Sequence, residues 1–172
     1  MNIHKMSLIA ILTAGAIIIG IIESFIPSVG IPGVKLGLVN IVILITLFEL
    51  GVTEAVFVNL SRVFLVAILR GTILTMGFLM SLVGAVLSLA IMILFRVFVK
   101  KFSIIGVSVL GAIFHVVGQI LIAWLFLETP YILLYLPIIT ISAIITGVLV
   151  GISANLVIRT KVIQKQKEKY NF

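Results

Sequence analysis

The amino-acid sequence predicts an all-α integral membrane protein with six transmembrane helices and both termini in the cytoplasm. Hydrophobic residues make up 63% of the 172 residues, and charged residues make up only 10%. A typical soluble domain is about 45–50% apolar and about 25% charged, so this chain is too apolar to be one. The mean hydropathy of +1.46 leads to the same conclusion.

Six apolar runs supply the predicted helices. A helix needs about 20 residues to cross a hydrocarbon core of about 30 Å. Breaks in apolarity, several of them at Gly or Pro, separate the runs at residues 7–25, 36–50, 55–69, 73–99, 104–127 and 132–158. The second and third runs have only about 15 residues each, which is typical of helices that end on a cavity. Short loops between the runs predict antiparallel neighbours.

The distribution of Lys and Arg predicts the orientation of the helices. With a cytoplasmic N-terminus, only Lys35 and Arg70 fall outside, and nine basic residues fall inside. The nine are Lys5, Arg96, Lys100, Lys101, Arg159, Lys161, Lys165, Lys167 and Lys169. The formal charge of +7 therefore indicates topology and lipid-headgroup contacts, not nucleic-acid binding. The prediction is one six-helix transmembrane domain over residues 1–159 and a basic cytoplasmic tail over residues 160–172.

The chain contains neither Cys nor Asp. Without Cys there are no disulfides, thiolate metal sites or Cys nucleophiles, and His4 and His115 are too few to build a zinc site. Without Asp, the chain lacks the clustered carboxylates that hold Mg²⁺ and phosphate in prenyl-diphosphate synthases and most phosphoryl-transfer enzymes. We therefore expect no enzymatic activity, no cofactor and no metal.

Several polar side chains are predicted to converge in the outer half of the membrane. They are Glu23, Lys35, Asn40, Asn59, Arg62, Arg70, His115 and Gln119. A charge exposed to lipid costs about 2.5–3.5 kcal/mol even on the most favourable insertion scale, so these groups must face protein, water or a ligand. The cations outnumber the single carboxylate available there. The sequence thus predicts a positive pocket, open to the exterior, for a ligand that carries phosphate or carboxylate.

Purely structural interpretations exist for the same residues. Arg62 is also interpreted as the partner of Glu23 in a buried ion pair. His115 and Gln119 lie four residues apart on one helix face and are also interpreted as an interhelical hydrogen-bond clasp. The sequence leaves these alternatives open.

The loop over residues 26–37 contains two Pro and three Gly residues. We interpret it either as a lid that covers the pocket or as a plain outer hairpin. Lys35 in this loop, like Arg70, is also interpreted as a side chain that extends to the outer headgroups.

Small residues four apart predict close helix packing within the membrane. The first run has Ala10 with Ala14 and Ala16 with Gly20, the fourth has Gly77, Ser81 and Ala85, and the sixth has Ala143, Gly147 and Gly151. Most of these stripes are expected to be internal contacts. The stripe of Ala10 and Ala14 is also interpreted as a docking face for another membrane protein.

A family resemblance is carried by the stretch Pro-Gly-Val-Lys-Leu-Gly-Leu-Val-Asn that ends at Asn40, by Arg62, and by residues 102–119. These residues resemble a family of small bacterial membrane proteins known as heptaprenyl diphosphate synthase component I, or the Gx transporter family. That family in turn resembles the S components of energy-coupling factor (ECF) transporters. S components are six-helix proteins that bind a vitamin or other micronutrient near the outer face of the cell membrane.

The resemblance implies a non-enzymatic binding subunit in the bacterial cytoplasmic membrane. S components cap their ligand with the loop after helix one and dock on a transmembrane coupling subunit that two ATPases drive. Ala10 and Ala14 match the Ala-x-x-x-Ala docking pattern, and Lys35 and Asn40 fall at the lid and at the start of helix two. The chain has no Gly-x-x-x-x-Gly-Lys-Ser/Thr motif, so energy would come from those partners. The predicted function is uptake of a small anionic or amphipathic micronutrient.

A second hypothesis places the protein in polyprenyl diphosphate or quinone synthesis. As a membrane accessory subunit, it would present a lipid diphosphate to a soluble synthase, and the same cations would bind the diphosphate. A self-sufficient ion-coupled transporter is disfavoured, because the chain shows no inverted repeat and few intramembrane acids.

Overall fold

The computed structural model describes residues 3–25, 35, 37–99, 102–160, 165 and 168–169. All regular elements in these ranges are helices, as predicted. They are α1 (Ile3–Phe25), α2 (Asn40–Glu49), α3 (Val52–Leu69), α4 (Met76–Phe98), α5 (Ile104–Leu127) and α6 (Leu136–Arg159), with a 3₁₀ helix (Pro130–Tyr135) before α6.

Five of these helices are long and apolar enough to cross a membrane, and α2 is the exception. It has 10 residues, and a helix of this length extends about 15 Å, half of a hydrocarbon core. The predicted run at 36–50 is longer than the helix because residues 37–39 form a turn that starts at Gly37, where φ is +80°. Gly51, with φ of +126°, follows the other end of the helix. Five helices therefore have the length and apolarity for a crossing, and the count of six crossings stays a prediction.

The short helix α2 is the centre of the bundle. Eight of its ten residues are buried, and it contacts each of the other five α-helices. The helices around it expose large apolar side chains, among them Ile18, Phe64, Leu125 and Leu149. Helices that are apolar on their outer faces as well as their inner ones belong in lipid. The protein is therefore a multi-pass membrane protein.

Glycines bring several helix pairs into close contact. A Cβ atom added at Gly118 on α5 would lie 2.8 Å from the Cα atom of Gly84 on α4. One added at Gly147 on α6 would lie 2.8 Å from the Cα atom of Val109 on α5, and one at Gly20 on α1 would lie 3.3 Å from an α3 side chain. These glycines are internal packing contacts.

The two ends of the bundle differ in their chemistry. At one end, named the cavity end here, the C-terminus of α1, the start of α2 and the α3–α4 turn meet around a cavity. At the opposite end, Lys5 forms an ion pair with Glu54 at 2.5 Å, and Arg96 donates to the carbonyl of Phe48 at 3.4 Å. The orientation in which the cavity end faces the exterior stays a prediction.

Candidate functional site

A cavity of about 240 Å³ lies between α1, α3 and α4, beside Lys35, which precedes the turn into α2. Four charged side chains line it, namely Glu23, Lys35, Arg62 and Arg70. All four were predicted from the sequence as binding residues. The chain folds this way because α1 and α3 end, and α4 begins, at the same end of the bundle.

Glu23 is a buried carboxylate that holds the start of α2. Its Oε1 atom accepts hydrogen bonds from the backbone amides of Gly37 and Leu38, the second at 3.0 Å. The residue before α2, Val39, offers no side-chain cap, and the first amides of α2 bond to backbone carbonyls of residues 37–39. Glu23 therefore holds the turn that leads into the helix. Among the described side chains, Glu23 forms no ion pair with Arg62.

Arg62 is the deepest cation and is only 5% exposed. Its Nε and Nη2 atoms donate to Oδ1 of Asn59 at 3.3 and 3.2 Å. Asn59 in turn donates from Nδ2 to the carbonyl of Ala85 on α4 at 3.0 Å. A guanidinium carries five N–H donors, so Asn59 orients the group and leaves donors for a ligand or water.

Lys35 and Arg70 lie nearer the mouth of the cavity. Burial lowers the pKa of Lys35 from its ordinary value, the charge of Glu23 opposes this shift, and the charges of Arg62 and Arg70 add to it. Arg70 is exposed, and its guanidinium carbon lies 6.0 Å from the ring centroid of Phe25. Arg70 directly follows α3 and lies eight positions after Arg62, which is a rise of about 12 Å. The cations thus extend from the mouth of the cavity to its floor.

The charges that line the cavity do not balance. Among the described residues, three cations and one carboxylate line the cavity, so their charges sum to 3 − 1 = +2. The carboxylate oxygen Oε1 of Glu23 is already bonded to backbone amides. A concave site of one sign with low-dielectric walls concentrates ions of the opposite sign. This cavity is therefore suited to an anion.

Hydroxyl groups complete the polar lining, and sequence analysis did not predict them as binding residues. Thr75 caps α4 by accepting from the amide of Phe78 at 3.3 Å and donates to the carbonyl of Thr72 at 2.7 Å. Ser24 donates to a carbonyl of its own helix. Ser81 differs, because it is 6% exposed and its hydroxyl has no hydrogen-bond partner in the described part of the chain.

One wall of the cavity is apolar. It is formed by Val63, Val66, Ala67 and Phe78 from α3 and α4. A mostly apolar wall with a few polar groups is the usual composition of a small-molecule site. This cavity can therefore hold a charged group and a small apolar body together.

Four other residues predicted for the pocket do not line it. Gln119 on α5 accepts a hydrogen bond at Oε1 from the backbone amide of Lys35 at 3.0 Å. Its Nε2 atom lies 2.9 Å from Nε2 of His115 one turn away, so the two side chains form a buried pair. Gln119 thus fixes the backbone from which the Lys35 side chain extends toward the cavity.

The remaining two are the asparagines. Asn59 acts through Arg62, as described above. Asn40 at the start of α2 donates to the hydroxyl of Ser88 on α4 at 3.4 Å. The structure therefore divides the predicted pocket into residues that face the cavity and residues that hold them in place.

Two other predictions concern the periphery of the site. Ala10 and Ala14 are both exposed on α1, whereas Ala16 and Gly20 on the same helix are buried. The predicted lid lies mostly outside the described residues, which include only Lys35 and Gly37 of the loop, and the basic tail lies largely outside them too.

The fold and the site define a class: a multi-pass helical membrane protein with a cation-lined cavity at one end of the bundle. Residues 12–157 match the family described as Heptaprenyl diphosphate synthase component I, and the chain belongs to this family. The matched range includes every residue that lines the cavity. The family's description names one component of a larger complex. Comparisons with curated proteins and with solved structures found no match, so the resemblance to S components stays a prediction.

Proposed function

We propose that this protein is the membrane-embedded binding subunit of an uptake system for a small anionic or amphipathic solute. The observation that carries the proposal is the excess of positive charge around a cavity that also has an apolar wall. Unpaired cations at membrane depth are costly unless something negative binds them. The predicted orientation, in which this cavity faces the exterior, makes capture from outside its function.

The size of the cavity limits the ligand. Sites for drug-sized molecules typically measure about 300–1,000 Å³, and this one measures about 240 Å³. The ligand, or the part of it that enters, is therefore small.

Transport by this subunit would require partners. The chain has no phosphate-binding loop of the ATPase type, so partner ATPases would supply the energy. The exposed positions of Ala10 and Ala14 on α1 support docking on a transmembrane coupling subunit, because small residues allow close helix contact in lipid.

A second candidate function follows from the family's description, which names a component of a prenyl diphosphate synthase. As an accessory to such an enzyme, the protein would hold a diphosphate between its cations while the prenyl chain lay outside the small cavity. The absence of Asp disfavours catalysis by this chain itself, since synthases of this kind hold Mg²⁺ with clustered Asp.

Ligand retention and thermal stabilisation test the proposed function. The full chain is purified in detergent, analysed by native mass spectrometry, and heated with panels of vitamins, flavins, quinone precursors and prenyl diphosphates. We expect one class of anion to raise the melting temperature of the wild type and of Arg159→Gln, an exposed cation outside the cavity, but not of Arg62→Gln. No shift with any panel member, and no retained solute, would contradict binding.

Co-purification from the native membrane separates the two candidates. A coupling subunit and ATPases bound to the protein would support uptake. A soluble prenyl synthase bound in their place would support the accessory function and count against transport.

A further inference from the structure

The charge around the cavity indicates how many negative charges its ligand carries. The charged lining groups sum to +2, and Glu23 is directed at the start of α2 by its bonds to two backbone amides. A monocarboxylate would leave a net charge of +1 at the cavity. A phosphate group with a charge of about −2 near neutral pH matches the sum.

The positions of the available donors indicate the shape of the charged group. The donors belong to three separate elements: Arg62 on α3, Ser81 on α4, and Lys35 before α2. A planar carboxylate presents two oxygens in one plane, whereas a tetrahedral phosphate presents oxygens toward several walls at once. Arg62 is also suited to phosphate, because its planar fork binds two oxygens together.

Ser81 is the residue whose state points to a ligand. Only 6% of this residue is exposed, and its hydroxyl lacks a hydrogen-bond partner among the residues that the structure describes. Buried polar groups are nearly always hydrogen-bonded, and leaving one unpaired is unfavourable. A ligand oxygen in the cavity would supply the missing acceptor.

We infer that the cavity selects the dianionic phosphate group of a small phosphomonoester over a carboxylate, with Arg62 and Ser81 as the residues that determine this selectivity. The inference rests on the proposed binding function and names its ligand class. Two oxygens of the phosphate would face the guanidinium of Arg62, and a third would accept from the Ser81 hydroxyl. The apolar wall at Val66 and Ala67 would contact the organic part of the ligand.

A matched pair of probes tests the inference. Phenyl phosphate and benzoate carry the same ring and differ in the charged group. Binding of each to the full-length protein in phosphatidylcholine nanodiscs is measured by calorimetry at pH 7.5. We expect phenyl phosphate to bind at least tenfold more tightly than benzoate, and inorganic phosphate to compete with it.

Two serine variants separate a ligand contact from a packing effect. Ser81→Ala should weaken phenyl phosphate binding about five- to tenfold and leave benzoate unchanged. Ser108→Ala is the matched control, because Ser108 on α5 is equally buried and unpartnered but does not line the cavity. It should change neither affinity. Arg62→Gln should abolish the preference for phosphate, with a melting curve as a check that the variant folds.

The phosphate has two possible sources, a soluble organophosphate and a lipid headgroup. Repeating the titration in nanodiscs that contain phosphatidic acid distinguishes them. Competition by this lipid, together with its retention by the wild type but not by Arg62→Gln in native mass spectrometry, would identify a lipid headgroup. Undiminished phenyl phosphate binding would identify a soluble ligand.

Failure of the phosphate inference and failure of the proposed binding function give different results. Benzoate bound as tightly as phenyl phosphate, or equal losses in Ser81→Ala and Ser108→Ala, would overturn the phosphate inference and leave the proposed binding function standing. Binding of none of the probes, with no retained phosphatidic acid, would overturn the phosphate inference, and the proposed binding function would fall with it only if the ligand panels described above also gave no thermal shift.

Discussion

The carboxylate of Glu23 on α1 accepts a hydrogen bond from the backbone amide of Leu38, 3.0 Å away, at the turn into α2. Through this bond, a side chain from the cavity wall organises the central helix of the bundle. The bond also explains why Glu23 does not form an ion pair with Arg62, which bonds to Asn59. The carboxylate that lines the cavity thus bonds to the turn before α2 and not to the deepest cation.

Replacing Glu23 tests this anchoring. Glu23→Ala removes a buried, charged acceptor from two amides, and such hydrogen bonds contribute about 1.5–3 kcal/mol. We expect a loss of stability in this range by reversible unfolding in detergent, and a smaller loss for Glu23→Gln, which keeps an acceptor oxygen. Glu128→Gln on the protein surface should change stability by no more than about 0.5 kcal/mol. Equal stabilities of Glu23→Ala and wild type would show that the contact anchors nothing.

The long helices were predictable because a run of apolar residues that exceeds a bilayer's thickness has few other structures available. The length of α2 was not predictable in this way. An apolar run shows which residues are apolar but not where the helix begins, and α2 begins only after the turn at Gly37. Its central position also depends on contacts with five other helices, which no local pattern encodes.

The cations of the site were predictable for a related reason. A charge within an apolar run is rare and costly, so Arg62 and Lys35 stand out without any knowledge of the fold. Ser81 does not stand out, because a serine in a stripe of small residues is equally a packing contact. Only its neighbours show that its hydroxyl lacks a partner at the cavity wall. No cation lies within two turns of Ser81 along α4, so the sequence holds no local signal for it.

Asn59 is expected to control the charge that Arg62 presents. Asn59→Asp would place a carboxylate at the position of the present acceptor, 3.2 Å from Nη2 of Arg62, and reduce the net charge of the site from +2 to +1. We predict a 10- to 100-fold loss of anion affinity, measured by calorimetry with phenyl phosphate. Asn155→Asp on α6, outside the cavity lining, is the control and should bind normally. An unchanged affinity in Asn59→Asp would refute the electrostatic argument.

Anion binding is expected to weaken at alkaline pH because of Lys35. Burial lowers the pKa of this ammonium below its ordinary value of 10.5, against the opposing charge of Glu23. The protonated form attracts the anion, so affinity is full below the pKa of Lys35 in the free protein and falls as the pH rises through it. A bound anion raises this pKa, so binding takes up protons. Calorimetry in two buffers of different ionisation enthalpy measures that uptake.

Lys35→Arg provides the control for this pH dependence, since a guanidinium stays protonated throughout the accessible range. Its affinity should stay nearly constant where that of the wild type declines. If both proteins lost affinity in parallel, the titrating group would be the ligand or another residue.

Gly118 tests whether close approach of α4 and α5 supports the site. A Cβ atom at this position would lie 2.8 Å from the Cα atom of Gly84 and 3.0 Å from the carbonyl oxygen of Val83, both backbone atoms that cannot rotate away. Gly118→Ala must therefore separate the helices, and overpacking of this kind costs about 1–3 kcal/mol. Gly15→Ala on α1 meets no atom within 4 Å and should stabilise its helix by up to about 1 kcal/mol.

Because Gln119, the residue after Gly118, holds the amide of Lys35, Gly118→Ala should also weaken anion binding, which Gly15→Ala should leave unchanged. A Gly118→Ala protein as stable as the wild type would show that these two helices have room that the structure does not indicate.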